Sequence, residues 1–197
     1  MIKMDIRGDL KAAQKKLEKL SSNLRDKAIA RALNKTAMQA RAEATREIRK
    51  AGYNLRAGDI RKSLSIRKAS TRALQASVVS KGDLRLNAIY YNAKQTLSGV
   101  RVRFKNKTLT YPHAFFARMR GGDMKVYMRK PVSAKLPKPG RYNRGSLSPR
   151  LPIVAVDGPG IPQAFSEKTV NDALQKTVAT RFPKILDHEI NYLLKTS

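Results

Sequence analysis

The chain has 197 residues, and 42 Lys and Arg against 14 Asp and Glu give it a formal net charge of +28 and a pI near 10.9. This length suits one domain, or one domain with a long arm. A hydrophobic content of 41% can build a core and argues against wholesale disorder. The chain has no cysteine, which excludes disulfides, zinc–thiolate sites, iron–sulfur clusters and cysteine nucleophiles. We find no run of about 18 apolar residues and no secretory signal, so we expect a cytoplasmic setting and no membrane partner.

The positive charge is concentrated in the middle of the chain. Residues 41–150 hold 27 basic and 5 acidic side chains, a net charge of +22, whereas residues 1–40 carry +6 and residues 151–197 are neutral. So much like charge repels itself and favours an anionic partner. Nucleic acid and an acidic protein surface are the two candidates, because solubility alone needs a net charge of only about 2 to 8.

Apolar residues at helical spacing predict an N-terminal helical segment over residues 9–50. One stripe runs from Leu10 to Leu24, and a second one, rich in alanine, runs from Ile29 to Ile48. Residues 21–23, Ser-Ser-Asn, are of the types that cap or interrupt a helix, so the segment is either two helices or one kinked helix. We interpret the alanine-rich stripe as a packing surface.

The middle of the chain, residues 65–130, is predicted to form a β-rich basic core after a short polar helix that opens near Asp59. Five stretches have strand-like patterns: 65–68, 74–79, 88–91, 99–104 and 124–129. Residues 112–119 fit either a strand or a helical turn. These patterns predict a central antiparallel sheet with one buried face and one basic face.

The two best strand patterns define the candidate binding surface. In residues 99–104, Val100, Val102 and Phe104 point one way, while Arg101 and Arg103 point the other way. The candidate contacts for DNA or an acidic partner are Arg101, Arg103, Lys105, Lys107, Lys125, Arg129, Lys130, Arg141 and Arg144. Tyr127 is the one aromatic residue predicted on this face, so we expect contacts to a nucleic-acid backbone rather than reading of a base sequence.

Residues 131–162 are predicted to be a Pro/Gly-rich extended arm or loop. They contain seven of the nine prolines and four glycines, so regular structure is not expected. The segment is also basic, which is typical of an arm that orders on a partner; a solvated linker is the alternative. The candidate subunit-docking residues of this arm are Leu147, Leu151, Ile153, Val154, Val156 and Ile161.

Residues 163–195 are predicted to form a C-terminal amphipathic helix, with a kink or a break into two segments at Pro183. Helices at both ends of a β-rich middle make an α+β fold, and we expect residues 1–197 to be a single domain.

No catalytic constellation is present in the sequence. Residues 121–123 and 157–160 indicate turns rather than a phosphate-binding loop. Glu43 and Glu47 lie one helical turn apart among arginines, which indicates surface ion pairs. Residues 187–189, Asp-His-Glu, point in different directions on a helix. We therefore predict a protein that is not an enzyme and needs no cofactor or metal.

Three segments, taken in chain order, carry a family resemblance. They are Ala28–Ala37 with the Ala40-Arg41 that follows, Ile60–Ala69, and Leu151–Pro162, whose LPI and GP elements precede the closing helix. Together they resemble the bacteriophage minor tail protein Z family, the tail-completion proteins of long-tailed phages and prophages. The resemblance implies a virion protein that is added at the head-proximal end of a finished tail and is needed for joining to the DNA-filled head. Related tail-completion and neck proteins form rings around the DNA channel.

From residues and resemblance together we expect a structural protein of the head–tail junction, present in the virion and in the host cytoplasm during assembly. The expected partners are further copies of the chain in a ring, with a hexamer favoured, the tail-terminator and head-completion or connector proteins, and the DNA end in the channel. The alternative is a free nucleic-acid-binding protein without sequence specificity. Composition supports this alternative, but two long amphipathic helices do not.

Overall fold

A computed structural model describes residues 2–6, 21–119, 122–129 and 153–196 of the chain. Within these residues the protein combines long terminal helices with antiparallel sheets, which confirms the predicted α+β class. The chain divides into two compact units. Unit 1 is formed by residues 1–84 and 159–197, and unit 2 by residues 85–158, so unit 2 is inserted into unit 1 in chain order.

The α-helices of the described residues belong to unit 1. They are α1 (Ser22–Lys50), α2 (Ala57–Ser63), α3 (Ile161–Phe165) and α4 (Lys168–Thr196). Lys35 of α1 contacts Glu189 near the end of α4. Tyr53, just beyond α1, donates a 2.7 Å hydrogen bond to Glu167, just before α4. The two long helices are therefore antiparallel neighbours, and they form the main helical contact of this unit.

The alanine-rich stripe predicted on α1 is confirmed. Its members are all buried: Ile29, Leu33, Ala37, Ala40, Ala44 and Ile48. Small side chains let the backbone of another element approach closely, and α1 packs on both α4 and the sheet of unit 1. The described part of α1 is one helix that begins at Ser22, within the predicted cap or break; the earlier part of the predicted segment, residues 9–20, lies outside the described residues.

The C-terminal helical segment is also confirmed, although its bounds differ from those predicted. A short helix, α3, ends at Phe165, and α4 then runs without interruption from Lys168 to Thr196 with Pro183 inside it. Of the two alternatives predicted at Pro183, a kink or a break into two segments, the break is therefore wrong. Phe182 precedes Pro183 in the sequence and Leu186 follows it, and both are buried. The burial of these side chains offsets the loss of the backbone hydrogen bond that the proline cannot donate.

The sheet of unit 1 has the strand order β1-β3-β2, with both pairs antiparallel. Its strands are β1 (Ile2–Ile6), β2 (Leu64–Arg67) and β3 (Ala76–Ser80). β2 and β3 match the stretches predicted at 65–68 and 74–79. Every residue of the central strand β3 is buried. The strand at residues 2–6 was not predicted, although Ile2, Met4 and Ile6 alternate with Lys3 and Asp5 as in a strand.

Unit 2 contains eight short strands among its described residues. Two antiparallel sheets have the orders β5-β6-β7 and β10-β9-β8, and β4 pairs with β11. The strands are β4 (Arg85–Asn87), β5 (Lys94–Thr96), β6 (Gly99–Phe104), β7 (Lys107–Pro112), β8 (Ala114–Arg118), β9 (Met124–Arg129), β10 (Ile153–Ala155) and β11 (Asp157–Pro159). The predicted single central sheet is thus replaced, in the described residues, by one sheet in unit 1 and three in unit 2.

Two local predictions in unit 2 need correction. Residues 88–91 form a 3-10 helix rather than a strand, because the Asn87 side chain accepts a hydrogen bond from the Ile89 N–H and caps this turn, while Asn92 ends it with a φ of 56°. Residues 153–159 form two short strands where regular structure was not expected. Pro159, the one proline of this stretch, is tolerated because it is the last residue of β11, in a sheet of only two strands.

The ambiguous segment at residues 112–119 is resolved as strand β8, which begins one residue after His113 with its φ of 58°. Tyr91 and Phe104 are buried in the core of this unit, with ring centroids 4.7 Å apart in an edge-to-face arrangement. Tyr111 lies against the same Phe104 ring at 6.4 Å. This aromatic cluster fixes the buried side of the β5-β6-β7 sheet, so the other side of that sheet is left to solvent.

Candidate functional site

The hairpin of β6 and β7 decides which of the predicted basic side chains lie together. Lys105 and Asn106 form its two-residue turn, with φ values of 34° and 64°. Two positive φ values in sequence are the mark of the tight hairpin turn that suits twisted strands. The register pairs Phe104 with Lys107. Lys107 therefore lies on the side of the sheet that Phe104 occupies, and Lys105 lies in the turn. Of the four candidate contacts between residues 101 and 107, only Arg101 and Arg103 share the exposed face of β6.

The remaining cations of this sheet form a smaller surface. Arg101 lies opposite both Lys94 on β5 and Thr110 on β7, and Arg103 lies opposite Thr108. All five side chains are exposed, whereas the alternating residues of β6 are buried. We call this surface, defined by Lys94, Arg101, Arg103, Thr108 and Thr110, the Arg101 face. It contains cations and hydroxyl groups and no carboxylate.

The second basic surface lies on the β8-β9-β10 sheet and has a different character. Lys125, Tyr127 and Arg129 share one side of β9, as predicted, and the register places Phe115 of β8 opposite Tyr127 and Ile153 of β10 opposite Arg129. The rings of Phe115 and Tyr127 are 6.5 Å apart, and the Arg129 guanidinium lies 5.8 Å from the centroid of the Phe115 ring. This is a cation–π contact. We call these five residues the Tyr127 face.

Both faces include residues that the sequence analysis did not select. Lys94 was missed because β5 is only three residues long, although Lys94 and Thr96 alternate about Gln95. Phe115 was missed because residues 112–119 fitted a strand or a helical turn equally well. Had the strand been chosen, the alternation of Ala114, Phe116 and Arg118 against Phe115 and Ala117 would have placed Phe115 on one face with Ala117.

The predicted arm contributes little to these faces within the described residues. Lys130, Arg141, Arg144, Leu147 and Leu151 lie outside the described residues. Of the other docking candidates, Ile153 is exposed and Val154 is half-buried. Val156 and Ile161 are only 3% and 5% exposed, so they belong to the interior of this chain rather than to a free docking surface.

The described residues hold no cluster of three or more His, Cys, Asp or Glu side chains that could bind a metal ion. In the same part of the chain, no helix combines the length and the apolar character that crossing a membrane requires. Burial raises the pKa of Tyr91 and, to a smaller degree, that of Tyr111, but both tyrosines belong to the aromatic core. Unit 2 thus carries positive charge on two of its sheets, together with hydroxyl groups on the β5-β6-β7 sheet and with aromatic rings on the β8-β9-β10 sheet.

The family model of the prophage minor tail protein Z matches residues 6–197, which is nearly the whole chain. The chain belongs to the minor tail protein Z family. No curated protein and no solved structure matches it. As a member of a phage minor tail protein family, the chain is a tail protein and a component of the virion, and this is consistent with a structural role in the tail.

The structure explains two glycines in the last of the three segments that resemble minor tail protein Z. Gly158 lies in β11, and a Cβ atom added to it would overlap the Phe104 ring. A Cβ atom on Gly160 would overlap the backbone of Asp83 and Leu84, and the Gly160 N–H donates a 2.7 Å hydrogen bond to the Leu84 carbonyl. Residues 157–160 are thus not a simple turn; their glycines permit close approach of another part of the same unit.

Proposed function

We propose that this minor tail protein completes the head-proximal end of the tail and joins the tail to the head as the subunit of a homo-oligomeric ring, with a hexamer favoured. It acts as a structural part without catalysis. The match to the minor tail protein Z family over residues 6–197 is the observation that carries this proposal. A closed ring is the usual way for identical subunits to surround a channel.

We further propose that the Arg101 face contacts the phosphate backbone of the DNA end in the channel. Arg, Lys and Thr side chains are the groups that most often contact phosphates, and they position DNA without reading its sequence. The face lacks the exposed aromatic or aliphatic side chains that anchor protein partners. An acidic protein neighbour is the alternative partner for this face.

The Tyr127 face is better suited to a protein neighbour. Tyrosine, phenylalanine and arginine are enriched at the centres of protein interfaces, where lysine is depleted. Tyr127 lies on the central strand of the sheet, with Phe115 opposite it on β8 and Arg129 near the Phe115 ring, while Lys125 lies toward one end of β9 and Ile153 is opposite Arg129 toward the other. We assign this face to the tail-terminator or the head-completion protein, whose acidic surface would complement the two cations.

Joining is tested with separated heads and tails from a phage that lacks this chain. Adding the purified chain should convert them into infectious particles, whereas the variant F115A/Y127A should fold but restore far fewer particles. The control is the variant L109A. It truncates an exposed side chain of β7 that lies outside both the Arg101 face and the Tyr127 face. Equal infectivity with and without the chain would refute the proposed function.

The DNA contact is tested by the dependence of duplex binding on salt. Each phosphate contact adds about 0.9 to the slope of log affinity against log salt concentration. The variant R101Q/R103Q should therefore have a slope smaller by about 2 than the natural chain. R67Q/R72Q, which removes two exposed arginines of unit 1, is the matched control. Equal slopes for both variants would assign the Arg101 face to an acidic protein instead.

A further inference from the structure

Two depressions lie side by side along the surface where α1 and α4 meet, within unit 1. Their volumes are about 480 and 330 Å³, and Lys35 and His188 line both, so they form one groove. On α4 the lining runs from Arg181 to Tyr192. This is about 16 Å of helix, or about three turns. The groove is long enough to hold a helical segment of similar length.

The charge along this groove is positive and mostly uncompensated. Four Lys and Arg side chains line it: Arg31, Lys35, Arg181 and Lys184. Its one carboxylate, Glu189, has only 4% of its side chain exposed and is paired with Lys35. Within the described part of the chain, Arg31, Arg181 and Lys184 form no ion pair with any carboxylate. Three exposed cations are thus available to an acidic ligand.

Apolar surface lies among these cations. Met38 on α1 and Tyr192 on α4 are 54% and 53% exposed, and Ile185, which is half-buried, lines the same depression as Met38. Large apolar side chains that are exposed in a concave, charged setting are typical of a surface that receives a partner. A phosphate backbone would use the cations and leave this apolar surface without a partner.

We propose that the groove between α1 and α4 binds an acidic amphipathic helix of another protein. Apolar side chains of the helix contact Met38, Ile185 and Tyr192, and carboxylates on its flanks pair with Arg31, Arg181 and Lys184, as in other helix-in-groove complexes. Charge argues against a second copy of this chain, which carries +28. It also argues against residues 7–20 of the chain itself, which hold five basic and two acidic side chains. The inference does not rest on head–tail joining.

The probe for the experiment is a synthetic helical peptide of about 15 residues with leucines at positions i, i+3, i+4 and i+7 and glutamates on both flanks. A scrambled peptide of the same composition has no continuous apolar stripe. Binding of each fluorescent peptide to the full chain is measured by anisotropy. The amphipathic peptide should bind at least about tenfold more tightly than the scrambled one, because only it presents apolar and acidic groups together.

Charge reversal locates the binding surface. The variant R181E/K184E should bind the amphipathic peptide at least about tenfold more weakly. K168E/K176E changes the net charge of the same helix equally but lies outside the groove, so it should bind within about twofold of the natural chain. R101Q/R103Q should also leave binding unchanged. Equal weakening by the two charge-reversal variants would overturn the proposal, because the peptide would then report net charge alone.

A second experiment measures the protection of a single introduced thiol from alkylation. Because the chain has no cysteine, M38C introduces a single thiol in the groove, and L97C introduces one on the exposed turn between β5 and β6. The amphipathic peptide should slow alkylation of the thiol in M38C at least about tenfold and leave L97C unaffected. Protection of M38C by a DNA duplex but not by the peptide would overturn the proposal in favour of nucleic acid. Equal binding of the scrambled peptide, or no binding of either peptide, would overturn it as well.

Discussion

Asn87 and Val126 form a reciprocal pair of hydrogen bonds in unit 2. The Asn87 Nδ2 donates to the Val126 carbonyl at 3.1 Å, and the Val126 N–H donates to the Asn87 Oδ1 at 2.9 Å. The same side chain donates to Asp157 at 3.2 Å and accepts from the Ile89 N–H at 3.2 Å. One buried amide thus connects β4, β9, β11 and the 3-10 helix, and it positions the strand that carries the Tyr127 face.

Replacing Asn87 with alanine should lower the free energy of unfolding by about 1–3 kcal/mol, because the buried Val126 N–H loses its partner. The Val126 carbonyl keeps its second hydrogen bond, from the Val156 N–H at 3.0 Å. Urea denaturation followed by circular dichroism measures the change. Q175A, at an exposed position of α4, should change stability by less than about 0.5 kcal/mol. A similarly small effect at Asn87 would show that the amide does not hold these strands.

Gly158 and Gly58 make a matched pair for a second prediction. An added methyl group at Gly158 overlaps the buried Phe104 ring, so G158A should destabilise the protein by about 1–3 kcal/mol. At Gly58, in α2, a methyl group meets no atom within 4 Å. Because alanine favours the helix, G58A should stabilise by about 0.5–1 kcal/mol. The two melting temperatures should move in opposite directions, and an unchanged or raised melting temperature for G158A would count against the close approach of β11 to Phe104.

Replacing Pro183 with alanine should raise the free energy of unfolding. It lies at an exposed position inside α4, where it cannot donate the backbone hydrogen bond of its turn. P183A restores this donor and should raise the free energy of unfolding by up to about 3 kcal/mol. Thermal melts measure the gain. A loss of stability would indicate that the packing around Phe182 and Leu186 depends on the local geometry of the proline.

Tyr91 should make stability depend on pH in alkaline solution. Burial raises the pKa of Tyr91 above its usual value of 10.0, so the folded state favours the neutral phenol. This contribution is complete below about pH 10 and is lost as the pH rises above 10 toward the raised pKa of the folded state. Y91F cannot ionise. Above pH 10 the difference in unfolding free energy should therefore shift in favour of Y91F, by up to about 1.4 kcal/mol per pH unit.

The control for this titration is Tyr111, whose pKa is also raised by burial but whose side chain is only half-buried. Y111F should show a smaller shift of the same sign. Denaturant unfolding curves at several pH values between 9 and about 11.5 provide the comparison, since they span the usual pKa of tyrosine. Parallel pH profiles for the natural chain and Y91F would contradict the assignment of Tyr91 to the core.

Strong periodicity in the sequence predicted the main elements of the fold. The stripe from Ile29 to Ile48 predicted the buried side of α1, and the alternation in residues 99–104 predicted both faces of β6. These patterns are reliable because the packing of each element repeats with the period of its own backbone. Residues 88–91 were wrongly predicted to be a strand, because the apolar residues of this capped 3-10 turn have the composition of a short strand.

The candidate site was predicted only in part, because register depends on turn geometry. The positive φ values at Lys105 and Asn106 make a two-residue turn, and this turn moves Lys107 to the other side of the sheet from Arg103. Sequence alternation alone cannot show such a reversal. The groove between α1 and α4 was also beyond prediction, since it joins residues that lie about 150 positions apart in the chain, such as Lys35 and Glu189.

The central claim is that this chain lies at the head-proximal end of the tail, and the position of a label in the virion tests it most directly. L97C places a single thiol on a fully exposed turn of a chain that has no other cysteine, so one gold cluster can be attached to each copy. Labelled chain is assembled into virions and imaged by electron cryomicroscopy. The account predicts a ring of gold density at the head–tail junction. Gold along the tail shaft or at its distal tip, or virions without gold, would contradict it.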